Sequence, residues 1–253
     1  MVTRPRFLHV ITTAMLALCL ARTSSARSAP NAPSLRLPAH EPCWVVLIDD
    51  LHLDFRRTGA IRSAVTAVVR PIFEAGALCA IRSDGPASLA LAVSDATSWL
   101  TVTGAIKGIT GNGLKPSDVM RMLTERGGAR ELVYRARRTS AAVELLLRGA
   151  DERPVVLLLV SSGYRTDVSE VSEQLAAVAV MAGQSRVPVV ALDPRVFAAE
   201  ADLRSSVPAI ETARHVQATT TSLQLLAHDT EGTVWEEGAS LASVVARLPM
   251  RVR

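Results

Sequence analysis

The sequence predicts a doubly wound α/β fold: a mostly parallel six-stranded sheet with one antiparallel edge strand, helices on both faces and a Rossmann-like arrangement. Three observations predict it. Runs such as 44–49 and 154–160 are apolar almost throughout, as strands buried on both faces are, whereas a half-solvated strand alternates. Segments with helical spacing separate these runs. The turn residues Ser83-Asp84-Gly85-Pro86 join two short apolar runs into a hairpin, which supplies the antiparallel strand.

Taken in chain order, Trp44–Asp49 is the first strand. Ile61, Val65, Val68 or Val69, and Ile72 recur at helical spacing. They predict a helix over 58–75, which Pro71 bends or ends. Leu78–Arg82 and Ser88–Val93 are the arms of the hairpin, and Ser94 and Asp95 are cap residues for a helix running to Lys107. GITGNGLKPSD reads as a flexible loop, and Pro116 suits the first position of a short helix over 117–126. A longer helix covers 129–148. The apolar run over 154–160 is the strongest strand of the chain. A helix over 167–182, a strand over 187–192, a helix over 210–228, a strand over 233–236 and a helix over 240–248 complete the series.

Composition narrows the function classes. Of 253 residues, 49% are hydrophobic and 21% charged, which suits a packed core. Aromatic content of 4% is too low for a surface that stacks nucleic-acid bases. The formal charge of +4 is set by the N-terminus. There Arg4 and Arg6 precede an apolar stretch from Phe7 to Ala21, followed by small residues through Ala26. This is the three-part pattern of a secretory signal peptide over 1–26, with an apolar part too short to span a membrane. Its removal takes Arg4, Arg6 and Arg22 and leaves 25 basic against 24 acidic residues, so bulk charge gives no case for nucleic acid. The expectation is a secreted or periplasmic protein with no membrane span after cleavage. An extended Pro- and Ala-rich leader covers 27–42 and one domain covers 43–250. Cys43 and Cys79 remain in that domain. A disulfide and two buried free thiols both stay open, because strand register decides whether the Cα atoms come close enough.

In such sheets ligands sit beyond the carboxyl ends of the strands, where the winding reverses. Three of those ends are polar: Asp49/Asp50, Ser161/Ser162 and Asp193. The first continues as DDLHLD, so in extended backbone Asp50, His52 and Asp54 would share a face and could hold Mn²⁺ or Zn²⁺. The plainer reading has Asp49 accepting hydrogen bonds at the strand end while Asp54 caps the next helix.

Five segments, in order, carry a resemblance to the von Willebrand factor type A (VWA) domain, and more narrowly to secreted VWFA-related proteins of acidobacterial type. They are WVVLIDDLHLDFRRTG, GALCAIRSDGPASLALAVSDATSWL, RPVVLLLVSSGYRTD, VPVVALDPRVF and LQLLAHDTEGTVWEEGASLASVVARL. The resemblance implies a protein-binding or adhesion domain whose partner is an extracellular or envelope protein. It also implies a divalent cation, usually Mg²⁺, held by an Asp and two alternate serines after the first strand, a Thr from a later loop and an Asp after the fourth strand. Here Asp49 matches the first Asp. Leu51 and Leu53 stand at the serine positions, Thr139 or Ser140 is nearest to the Thr, and Ser161 stands for the last Asp. The implied site is therefore degenerate, with Asp49, Asp50, His52, Asp54, Thr139 and Ser161 as its candidate ligands, and no catalysis and no resident cofactor are expected.

The remaining motifs are weak. Ser161 lies in no nucleophile elbow. GITGNG lacks the Lys and Ser/Thr of a phosphate loop. RARRTS at 135–140 reads as a solvated basic helix face. Asp193 sets a turn with Pro194, and Asp193 and Arg195 are candidate partner contacts. Two alternatives stand beside the binding domain: a metal-dependent hydrolase on the Asp50/His52/Asp54 face, and a purely structural domain. A phosphorelay receiver fails, because the strong strand ends in Ser161 and the two lysines, Lys107 and Lys115, lie outside the strands.

Overall fold

A computed structural model describes residues 42–85, 89–125, 127–148, 154–197 and 209–248. The expected signal segment and the expected leader through residue 41 lie outside them, as do Pro86 and Ser88 of the predicted hairpin. The whole sheet lies in one unit, over residues 35–253.

Six strands form that sheet: β1 (Cys43–Ile48), β2 (Leu78–Ser83), β3 (Ala90–Ala92), β4 (Val155–Val160), β5 (Val189–Leu192) and β6 (Thr233–Val234). Their order is β3-β2-β1-β4-β5-β6. All neighbours are parallel except β2 and β3, so the hairpin arm is the antiparallel edge. Winding reverses between β1 and β4, and a Rossmann-like sheet opens its crevice there.

Strand periodicity places the core. In β1, Cys43, Val45 and Leu47 face one cluster, while Trp44, Val46 and Ile48 face the other. β4 divides in the same way between Val155, Leu157, Leu159 and Val156, Leu158, Val160. Both halves are buried because helices cover both faces. Helices α1 (Thr58–Glu74), α2 (Trp99–Lys107) and α7 (Leu241–Val245) cover the Trp44 face, α1 through Ile61, Val65, Val68, Val69 and Ile72. Helices α3 (Pro116–Thr124), α4 (Ala129–Arg148), α5 (Ser169–Ser185) and α6 (Ala209–Asp229) cover the Cys43 face.

Element ends differ from expectation where local side-chain bonds decide them. α2 begins at Trp99, because Ser98 rather than Ser94 accepts from the Thr101 N–H. Ser94 instead closes a turn with Thr97. Pro71 lies inside α1, and the helix ends three residues later at Glu74. The closing strand spans only Thr233–Val234.

The loop read as flexible is tightly packed. The Asn112 N–H donates to Asp50 O at 2.7 Å and the Gly113 N–H to Leu53 O at 2.7 Å. A Cβ on Gly111 would lie 2.3 Å from Leu53 O. Glycine is required here for close backbone approach, not for mobility.

Candidate functional site

At the reversal of winding, Asp49 follows β1 and is completely buried. Its Oδ1 meets His52 Nδ1 at 2.8 Å and Thr139 Oγ1 at 3.1 Å. Its Oδ2 accepts from Ser161 Oγ at 2.7 Å and from the Tyr164 hydroxyl at 2.7 Å. Burial alone would raise this carboxyl. The attraction of His52 and the hydrogen bonds from His52, Tyr164 and Ser161 outweigh burial and bring it down to about 2. The Tyr164 hydroxyl is driven the other way, first by burial and then by Asp49.

A second acid sits one strand over. Asp84 follows β2, as Asp49 follows β1, and its Oδ2 lies 2.5 Å from Thr139 Oγ1. Burial, then the charge of Asp49, pushes Asp84 up to about 9. Proton counting agrees with that state without requiring it. Thr139 carries one hydroxyl proton and cannot donate to both acids, although it lies within reach of both. With Asp84 neutral, the Asp84 hydroxyl can donate to Thr139 Oγ1 while Thr139 donates onward to Asp49. Asp50 is also fully buried, and neither of its carboxylate oxygens has a hydrogen-bond partner among the described residues. Burial raises it to about 6, and the charge of Asp49 adds to the rise.

These shifts fix a pH dependence. Between 3.8 and about 9 the folded protein keeps a proton on Asp84 that the unfolded chain has released, and Asp50 does the same up to about 6. The unfolded state binds fewer protons in that window, so stability falls as pH rises through it. Asp49 works at the other end. Its stabilisation is present above 3.8 and is lost as pH falls through about 2. The urea midpoint is therefore expected to be higher at about pH 5 than at about pH 8.5. Equal midpoints would mean that Asp84 is ionised throughout.

The candidate ligands do not converge as expected. Residues 50–52 form a 3-10 turn, not extended backbone. As a result His52 turns inward to Asp49, while Asp54 caps the turn at Phe55–Arg57 and pairs with Arg56 at 2.6 Å. The shared Asp50/His52/Asp54 face is thus corrected. Thr139 and Ser161 do reach Asp49, whereas Ser140 turns to Gln174 O at 3.5 Å. Among the described residues no group of three or more His, Cys, Asp or Glu side chains is arranged to hold a metal ion. A carboxylate offers about four lone-pair positions, and protein groups meet Asp49 at four points. Leu51 and Leu53 add no oxygen. These residues do not fit an octahedral Mg²⁺ shell of hard oxygens.

Beside this knot lies a cleft of about 300 Å³. Leu51, Ile61, Val119 and Val216 contribute apolar wall. Arg57, Arg135, Arg165 and Arg195 contribute guanidinium groups, and His52, Asp54 and His215 also line it. Arg195 lines the cleft and is held by Asp193 at 2.6 Å and by Thr219 at 2.9 Å. Asp193 also accepts from the Arg195 N–H at 2.9 Å, the local turn bond expected of it. Arg165 is clamped by Asp167. His215 is pushed down to about 4 by burial and by Arg165 and Arg195, so it is uncharged at neutral pH. Gly163 turns the chain from β4 toward Tyr164 at φ +83°, where a Cβ would lie 1.9 Å from Thr219 O. Only glycine fits that turn.

Asp84, Tyr164, Arg135 and Arg165 were not legible as site residues. Asp84 had a usable signal, since it ends a strand next to β1. Arg135 and Thr139 lie within the helix face read as solvated, yet their side chains point inward. No family model, curated protein or solved structure matches this chain.

Proposed function

We propose that this is a VWA-like interaction domain, acting outside the cytoplasm, that binds an extracellular or envelope protein through the carboxyl edge of its sheet without a metal ion and without catalysis. One observation carries the reading. The acid at the reversal of winding, Asp49, is met by His52, Thr139, Ser161 and Tyr164, so protein donors stand where a cation would. The adjacent apolar cleft supports a binding role at the same edge. The divergence of Asp50, His52 and Asp54 counts against the hydrolase. Among the described residues no helix is long and apolar enough to cross a membrane.

The test is elemental analysis of the purified protein, with thermal melts in chelator and in added Mg²⁺, Mn²⁺ or Zn²⁺. A metal that binds only the folded state raises the melting temperature. The expected result is no stoichiometric metal and no shift. A bound metal with a clear rise would overturn the metal-free reading.

A further inference from the structure

We propose that the cleft accepts one acidic side chain flanked by large apolar residues on a partner protein, with Arg135 as the anchoring cation. This rests on the carboxyl edge being a protein-binding face.

Arg135 is the best-prepared donor in the cleft. Its side chain is 15% exposed. Its Nε donates to Glu131 at 2.7 Å, and its Nη1 donates to the Leu51 and Asn112 carbonyls at 2.8 and 2.7 Å. Those bonds use three of the five guanidinium N–H groups and lock the side chain in place. Among the described residues neither N–H group of Nη2 has a partner, which leaves both for a ligand. An arginine already held in position loses little further freedom on binding, and its planar edge matches a carboxylate.

The charge of the lining selects the ligand. Four arginines line the cleft against one carboxylate, Asp54. Arg135, Arg165 and Arg195 each also hold an acid, Glu131, Asp167 and Asp193 in turn, so the bulk charge of the cleft gives no case for a polyanion such as a nucleic-acid backbone. The donor pair on Arg135 Nη2 suits one carboxylate. At about 300 Å³ the cleft lies at the lower end of the range for ligand sites, enough for a side chain and its neighbours.

The lining itself supplies the apolar complement. Leu51, Ile61 and Val119 line the cleft. Val216 also lines it and is 38% exposed. A carboxylate seated on Arg135 therefore has apolar surface around it.

The experiment is fluorescence polarisation of the full chain with a labelled seven-residue peptide carrying one central glutamate among leucine and phenylalanine, in chelator. The control has glutamine in place of glutamate. The glutamate peptide is expected to bind about 10- to 100-fold tighter, the equivalent of one hydrogen bond to a charged group. Arg135→Gln should erase that preference. Because Arg135 also moors two loop carbonyls, a second variant is needed. Val216→Glu places a like charge on an exposed position of the lining, and should weaken the glutamate peptide at an unchanged melting temperature. Equal binding of the two peptides, or no binding of either, overturns the inference. Competition by a free aryl carboxylic acid as strong as the peptide would also overturn it, by assigning the cleft to a small organic acid. A protein that captures an envelope partner through this edge while ignoring both peptides would keep the binding reading and lose this one.

Discussion

Replacing Asp49 by alanine is expected to destabilise the domain by about 3–5 kcal/mol, the range for stripping one partner from a buried charge pair. The variant removes the acceptor of Ser161 and Tyr164 and the partner of His52 and Thr139, all in a fully enclosed position. Each donor left unmade in such a place carries its own desolvation cost. In a domain of this size each kcal/mol lowers the melting temperature by roughly 2–4 °C, so a drop on the order of 10 °C is expected. Asp84→Asn is the contrasting variant. Asp84 is neutral at working pH, and an amide in its place is also neutral and can donate to Thr139. The effect of Asp84→Asn should stay within about 1 kcal/mol, the net worth of an ordinary hydrogen bond. Urea titration followed by tryptophan fluorescence reads both. Equal losses for the two aspartates would mean that they share one charge state, and the proton chain through Thr139 would be wrong.

That chain also shows where sequence reasoning reached and where it stopped. The strands were legible because burial on both faces leaves a direct compositional trace: Val155–Val160 admits nothing polar. The place of the site was legible too, because a doubly wound sheet opens at its reversal of winding and Asp49 and Ser161 end the two strands that flank it. The geometry within the site was not. Whether Asp50, His52 and Asp54 share a face depends on whether five residues are extended or coiled into a 3-10 turn. The turn is held by Asn112 and Gly113, some sixty residues away. Asp84 was hidden by its own neighbours, since Ser-Asp-Gly-Pro satisfies turn chemistry and leaves no local reason to seek a second role. Tyr164 lies four residues past its strand, and its tie to Asp49 spans 115 positions. Arg135 looked solvated because helical charge runs usually are. Its inward turn comes from two loop carbonyls that no local pattern reveals.

Opening the Cys43–Cys79 bond is expected to cost about 2–4 kcal/mol, and the reason begins with strand register. β1 and β2 run in parallel, with Trp44 opposite Leu78 but Val45 opposite Ala80. The register slips there and passes over Cys79. That bulge sets Cys79 and Ala80 on the same face of the sheet, the face that also holds Cys43, while Leu78 and Ile81 stay with the Trp44 face. The two cysteines end 5.6 Å apart at Cα and are bonded, which settles in favour of the disulfide a choice the sequence leaves to register. The bond closes a loop with a sequence separation of 36. In the chain-entropy account a loop of that length restricts the unfolded chain by about 4 kcal/mol, and measured values run somewhat lower. Cys43→Ala with Cys79→Ala should therefore lower the urea midpoint as much as reductant lowers that of the parent protein, and reductant should then leave the double variant unmoved. A parent protein whose melting temperature ignores reductant would mean that the bond adds nothing. The compartment proposal meets the same measurement. Such a bond persists where thiols are oxidised and is rare in the cytosol. A protein exported in an oxidised state keeps these few kcal/mol, while the same chain held in a reducing compartment forgoes a large share of the roughly 5–15 kcal/mol that holds a domain folded.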